Sequence, residues 1–129
     1  MIHDDSGHTI HFDDPYTVLD FLYTHIEGSG VTPENPFIKG QKNDPAWKRH
    51  GVLMQYDQRE FVDPDDSWDE ANFANYGWLY YPNQCADGST KCKITFALHG
   101  CYGQASSVVS DSWGYVDLAY RNNLIVVAP

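Results

Sequence analysis

Apolar residues recur at Val18, Leu19, Leu22, Tyr23 and Ile26, a spacing of i, i+1, i+4, i+5 and i+8 that lines one stripe of a helix. Asp13 or Asp14 can cap this helix, Pro15 suits its first turn, and Gly28-Ser29-Gly30 ends it. The pattern then lapses. From Val31 to His50 the prolines at 33, 36 and 45 sit among scattered charges, which predicts an irregular surface connection of the kind that often covers a site. Val52 to Tyr56 and Gly77 to Tyr81 are short apolar-aromatic strand candidates. Between them lies an acidic stretch (Asp63, Asp65, Asp66, Asp69, Glu70) that belongs in solvent.

In the last third the apolar positions run together instead of alternating. Ile94 to Leu98 and Leu124 to Ala128 read as strands covered on both faces, and Ser106 to Asn122 can hold a helix burying Val108, Val109, Trp113, Val116 and Ala119. Strand, helix and strand in that order predict a right-handed parallel crossover, hence an α/β fold class. Residues 1–129 are expected to form a single domain, with a helix and irregular loop over 1–50 and the sheet core over 51–129. Pro129 follows the second strand at once, where such a sheet would ordinarily continue. The expectation is therefore a partial sheet with an unpaired, aggregation-prone edge beside Leu124 to Ala128.

Composition narrows the possible partners. With 42% hydrophobic and 15% aromatic residues the chain can pack a core, and 8 basic against 18 acidic residues leave a net charge of −10. That charge argues against a nucleic-acid backbone or an anionic membrane and favours a neutral or polymeric substrate. The start, Met1-Ile2-His3-Asp4-Asp5, is too polar for a signal peptide, and no apolar run approaches the roughly 20 residues that span a bilayer.

The chemistry concentrates where the first of the two strands breaks off into His99-Gly100-Cys101. A strand ending in His-Gly before an exposed loop is how α/β-hydrolases place a backbone N–H against the oxygen of a tetrahedral intermediate, which points to ester or acyl chemistry. No Gly-x-Ser-x-Gly accompanies it. None of the eight serines sits in a strand-to-helix turn between small residues, and helix capping is the better account of Ser106 and Ser107. His99 fits a structural role, its ring bonded to the loop backbone, and Tyr102 and Trp113 either line a groove or pack in the core. Cys85 and Cys92 flank the turn-forming Ala-Asp-Gly-Ser-Thr-Lys and can close a disulfide across a hairpin-like connection, leaving Cys101 over. The competing reading is three buried reduced thiols. The cysteines do not indicate a metal site, since no Cys-x-x-Cys or matching His pair accompanies them, and no cofactor is expected. His3, His8 and His11 stand among Asp4, Asp5, Asp13 and Asp14, so a solvated terminus, a chance metal cluster and a catalytic base all compete there.

Several of these segments together resemble one family. They are Gly51 to Gln58, Glu60-Phe61, Gly77 to Pro82 with Cys85 and Cys92, Leu98-His99-Gly100-Cys101 with Gln104, Gly114-Tyr115, and Asn122 to Pro129. In combination they look like secreted poly(3-hydroxybutyrate) depolymerases and related polyester esterases, over roughly residues 50 to 129. The resemblance implies a partial α/β-hydrolase sheet and a serine hydrolase acting on short-chain hydroxyalkanoate esters through a Ser-His-Asp triad. It assigns the main-chain N–H of Cys101 to the oxyanion hole. Some fungal-type members are circularly permuted, with the base upstream in a Gly/Ser-His-Thr context. Ser6-Gly7-His8-Thr9 ahead of Asp14-Pro15-Tyr16 is similar, which makes His8 the candidate base, although the family's cysteines near this region are absent. A polyester or small ester is then the expected substrate, the location is extracellular, and the remainder of the same enzyme is the expected partner. The other functional class consistent with the residues is a non-catalytic domain that docks on a polymer or protein through exposed aromatics.

Overall fold

The computed structural model describes residues 15–41, 43–63, 74–100, 103–110 and 113–129. In chain order the elements are α1 (Pro15–His25), α2 (Trp47–His50), β1 (Gly51–Asp57), a 3-10 turn (Gln58–Phe61), β2 (Tyr76–Pro82), a second 3-10 turn (Asn83–Cys85), β3 (Lys93–Phe96), α3 (Ala105–Val108), α4 (Tyr115–Arg121) and β4 (Leu124–Ala128).

The strands form one mixed sheet in the order β1-β2-β4-β3. β1 and β2 are antiparallel, β2 and β4 are antiparallel, and β3 runs parallel to β4 as the strand-helix-strand reading required. An α/β architecture results. Two expectations change, however. β4 is paired on both sides, so among the described residues the open edges belong to β1 and β3 and the anticipated liability beside Leu124–Ala128 does not arise. The crossover also carries two short helices instead of one long one, because Gly114 at φ 80° takes the left-handed conformation that starts α4 afresh. Trp113, beside that break, is half exposed and not part of the buried face.

Register separates the sheet into two unlike faces. On one face Leu53, Tyr80, Val126 and Thr95 stand side by side across the four strands. Here α4 and α3 lie on β2 and β4, α2 lies on β1, and α1 packs on α4. The core sits in this layer, with Val108, Val116, Leu118, Ala119, Leu124 and Val126 fully buried. The other face carries the row Met54, Leu79, Val127 and Phe96. There the expectation that β3 is covered on both faces fails: Ile94, Phe96 and Leu98 are exposed. The α1 stripe is likewise narrower than its spacing suggested, since Leu19 and Tyr23 are buried while Leu22 and Ile26 are exposed. Tyr23 reaches the sheet, with its hydroxyl 2.7 Å from the Thr95 hydroxyl.

The proline-containing connection is irregular, as predicted, apart from α2 at its end, and polar pegs hold it in place. From α4 the buried Asp117 carboxylate accepts the Gln41 N–H at 2.5 Å, and Asn122 both accepts from and donates to the backbone of Ile38. Arg121 joins Asp117 to Asp44. Gly40 leaves the room this requires, because a Cβ there would overlap the Asp117 carboxylate. Just before β3 Cys92 is bonded to Cys85, with Cα atoms 5.9 Å apart. The bridge does not close a hairpin, since β4 lies between β2 and β3. It ties down the turn that carries the chain across.

Burial of phenols predicts a pH dependence. Desolvation pushes the hydroxyls of Tyr23, Tyr80 and Tyr115 above the ordinary value of 10.0. In the unfolded chain these groups lose protons near pH 10, whereas the folded chain retains them, so above about that pH the folded state binds more protons. Their contribution is complete below about pH 10 and is lost as the pH rises through the higher folded values. The urea midpoint is expected to hold between about pH 8 and 9.5 and to fall steadily above about 10.5. A midpoint that does not move over that range would contradict the burial of these rings.

Candidate functional site

The backbone leaves β3 at its carboxyl end. Pairing persists one residue beyond Phe96, where the Ala97 N–H donates to the Val127 carbonyl at 2.8 Å, and the chain then departs from the sheet at Leu98 and His99. A tight turn follows: the Gly103 N–H donates to the Gly100 carbonyl at 2.9 Å. His99 Nδ1 lies 2.9 Å from the same carbonyl. A carbonyl only accepts, so Nδ1 carries the proton in this contact and the other ring nitrogen is an acceptor when the ring is neutral. His99 thus has the structural role expected of it. Gly103 is needed for close approach, since a Cβ would lie 3.0 Å from both the Gly100 oxygen and the His99 Cβ.

The turn feeds directly into α3. Ser107 accepts from the Gln104 N–H at 3.3 Å and donates to its carbonyl at 2.6 Å, a reciprocal cap on the first turn. Ser107 therefore caps a helix, as expected, and Ser106 is exposed within hydrogen-bond reach of the Gln104 side chain. The chain thus leaves β3 at its carboxyl end, beside the carboxyl end of β4, the position at which open α/β sheets hold their ligands.

Next to this loop, on the bare face of the sheet, is an apolar depression of about 690 Å³ lined by Leu79, Ile94, Phe96, Leu98, Val127 and Pro129, with Tyr56, Gln58, Phe61 and Val62 at its β1 side. This volume falls in the range of small-molecule ligand clefts. The sequence reading missed the depression. Its signal lay in side-chain size: Ile94, Phe96 and Leu98 alternate with Lys93, Thr95 and Ala97, a period of two hidden inside an apolar run.

Of the residues singled out from sequence, His8, Cys101 and Tyr102 lie outside the described residues. Cys85 and Cys92 are joined, away from the loop. Trp113 is half exposed but does not line the depression. Among the described residues no group of three His, Cys, Asp or Glu side chains is arranged to hold a metal ion, and no helix is long and apolar enough to cross a membrane.

No family model matches the chain. It is 43% identical over 56 residues to the polyhydroxybutyrate depolymerase of Talaromyces funiculosus, a match covering 41% of this chain and 16% of that protein. It is 30% identical over 83 residues to the poly(3-hydroxybutyrate) depolymerase of Delftia acidovorans, covering 61% of this chain and 16% of the relative. Among solved structures, the PHB depolymerase of Penicillium funiculosum superimposes with a TM-score of 0.50 at 28% identity, over 62% of this chain and 24% of that one. The chain thus matches 16% of the length of each of these curated relatives.

Proposed function

We propose that this chain, which is related to polyhydroxybutyrate depolymerases over part of its length, contributes the oxyanion segment of a secreted serine esterase acting on polyesters or other short-chain esters. In that chemistry a serine oxygen adds to the ester carbonyl, a histidine takes the hydroxyl proton, and the former carbonyl oxygen carries a full negative charge. The backbone N–H of Cys101 donates to that oxygen, and its thiol takes no part. His8 is the base. Tyr102 and Trp113 border the path of the substrate chain. The nucleophile is supplied from outside these 129 residues, which contain no Gly-x-Ser-x-Gly.

The observation that supports this reading is where the chain leaves the sheet, at the carboxyl end of the parallel strand β3, with the Gly103 N–H returned to the Gly100 carbonyl. In this chemistry a donor oriented before charge develops supplies most of its catalytic value. The disulfide fits an extracellular protein. A net charge of −10 suits a neutral polymer better than an anionic one. The missing elbow motif favours a second reading, a non-catalytic scaffold that docks on polymer.

A chimera separates the two. Residues 51–129 are placed in the Talaromyces depolymerase in exchange for its matching segment, and hydrolysis of p-nitrophenyl butyrate and of polyhydroxybutyrate film is followed. Turnover by the chimera is the expected result, with no burst from the 129-residue chain alone. A folded chimera that binds film without cleaving either ester would leave the scaffold reading in place.

A further inference from the structure

We infer that a small cavity at the amino ends of β3 and β4 is a binding site for a short-chain monocarboxylate, its charge met by Lys93 and Asn123 and its alkyl part seated on Val31 and Phe37. The hydrolase reading plays no part in it.

The cavity holds about 80 Å³ between the 31–38 connection and the start of β3. Lys93 opens β3, and Asn122 and Asn123 immediately precede β4, so this space lies at the opposite end of the parallel pair from the loop that follows Phe96. Its walls are fixed. Asn122 accepts the Ile38 N–H at 2.6 Å and donates to the Ile38 carbonyl at 2.8 Å, while the buried Phe37 ring stacks on Tyr23 with centroids 5.8 Å apart. A site held in this way needs little ordering when a ligand enters.

The uncompensated charge in the wall is cationic. Among the described residues the Lys93 ammonium has neither a hydrogen bond nor a carboxylate partner, and it stands 5.7 Å from the centroid of the Tyr23 ring. Burial holds it below its ordinary value of 10.5. Arg121 also lines the cavity, but it is paired with Asp117 and Asp44, and neither of those carboxylates belongs to the wall. Asn123 adds a donor: Gln84 donates to its Oδ1 at 3.0 Å, which leaves its Nδ2 hydrogens uncommitted. A partly buried cation without a partner is costly, and a single negative charge relieves it.

Size and lining select the ligand. At roughly 10 to 15 Å³ for each water-sized group, the space admits about five to eight non-hydrogen atoms. Val31 and Phe37 give an alkyl chain apolar contact that an inorganic anion cannot use. One free cation, moreover, matches a carboxylate better than a doubly charged phosphate. The net charge of −10 opposes anions only at a distance, since salt at about 0.15 M screens it beyond about 8 Å.

The test uses the full 129-residue chain in salt of about that strength, with butyrate, its neutral isostere butyramide, and phosphate as probes. Amide NMR signals of Lys93 and Asn123 should shift saturably with millimolar butyrate while that of His99 stays in place, and the urea midpoint should rise in step. Butyramide and phosphate should each bind at least about tenfold more weakly. Lys93→Met keeps the stem and deletes the charge, so it should weaken butyrate at least about tenfold without lowering the urea midpoint measured in its absence. Asn123→Gly, which suits the left-handed backbone at φ 52°, should weaken binding about threefold and decides the matter if Lys93→Met does not fold. An unsaturable response, shifts centred on His99, butyramide or phosphate bound as tightly as butyrate, or butyrate affinity that survives both substitutions would each overturn the inference.

Discussion

Tyr80→Ala is expected to lower the unfolding free energy by about 4 kcal/mol, close to the whole stability of a small domain. Tyr80 is 0% exposed on the central strand β2, where it stands between Leu53 on β1 and Val126 on β4. Its ring meets Trp47 edge-on with centroids 5.6 Å apart, and its hydroxyl donates to the Trp47 carbonyl at 3.0 Å. The chain is built around this ring, for a Cβ at Gly51 would overlap the Tyr80 hydroxyl. Alanine removes the aromatic body, opens a cavity that rigid strands on both sides cannot close, and strands a buried carbonyl. Tyr80→Phe keeps the body and loses only the hydrogen bond, so about 1 to 2 kcal/mol is expected there. Urea unfolding of both variants separates cavity from bond. An alanine variant within about 1 kcal/mol of wild type would show that α2 and the sheet are not packed through this residue.

In the active chimera, Cys101→Pro is expected to lower kcat by about 100- to 1,000-fold, and Cys101→Ala by less than about threefold. Proline deletes the N–H proposed to meet the oxyanion, whereas alanine deletes only the sulfur. The ground-state carbonyl oxygen accepts far more weakly than the charged oxygen that replaces it, so KM should move little in either variant. Equal losses from both substitutions would return the thiol to consideration and defeat the backbone assignment. Matching thermal midpoints for the two chimeras would show that the comparison concerns chemistry and not folding.

Much of the local structure was legible before the fold was known. Pro15 and the Gly28–Gly30 punctuation bounded α1, the aromatic runs located β1 and β2 to within a residue or two, and Ser107 read correctly as a cap. These features depend on steric and hydrogen-bonding rules acting over a few neighbours, which a chain carries wherever it is placed. The helix predicted over 106–122 failed for an equally local reason, one glycine at φ 80° outweighing an apolar pattern on either side of it. The candidate site was legible only in part. His99 and the loop after β3 stand where the reading expected them, whereas the apolar depression could be foreseen from nothing longer-ranged than the alternation of large and small residues at 93–98.

What sequence by itself determined, then, was the type and approximate extent of most elements, the pairing potential of Cys85 with Cys92, and a parallel relation between the last two strands. Strand order and cover were decided only in three dimensions. An apolar run states that a strand prefers to leave water, but hydrophobic attraction has no direction and does not say which neighbour or which layer will cover it. The insertion of β4 between β2 and β3 settled that question, because it enclosed Leu124–Ala128 and left Ile94, Phe96 and Leu98 on an open edge beside the candidate loop.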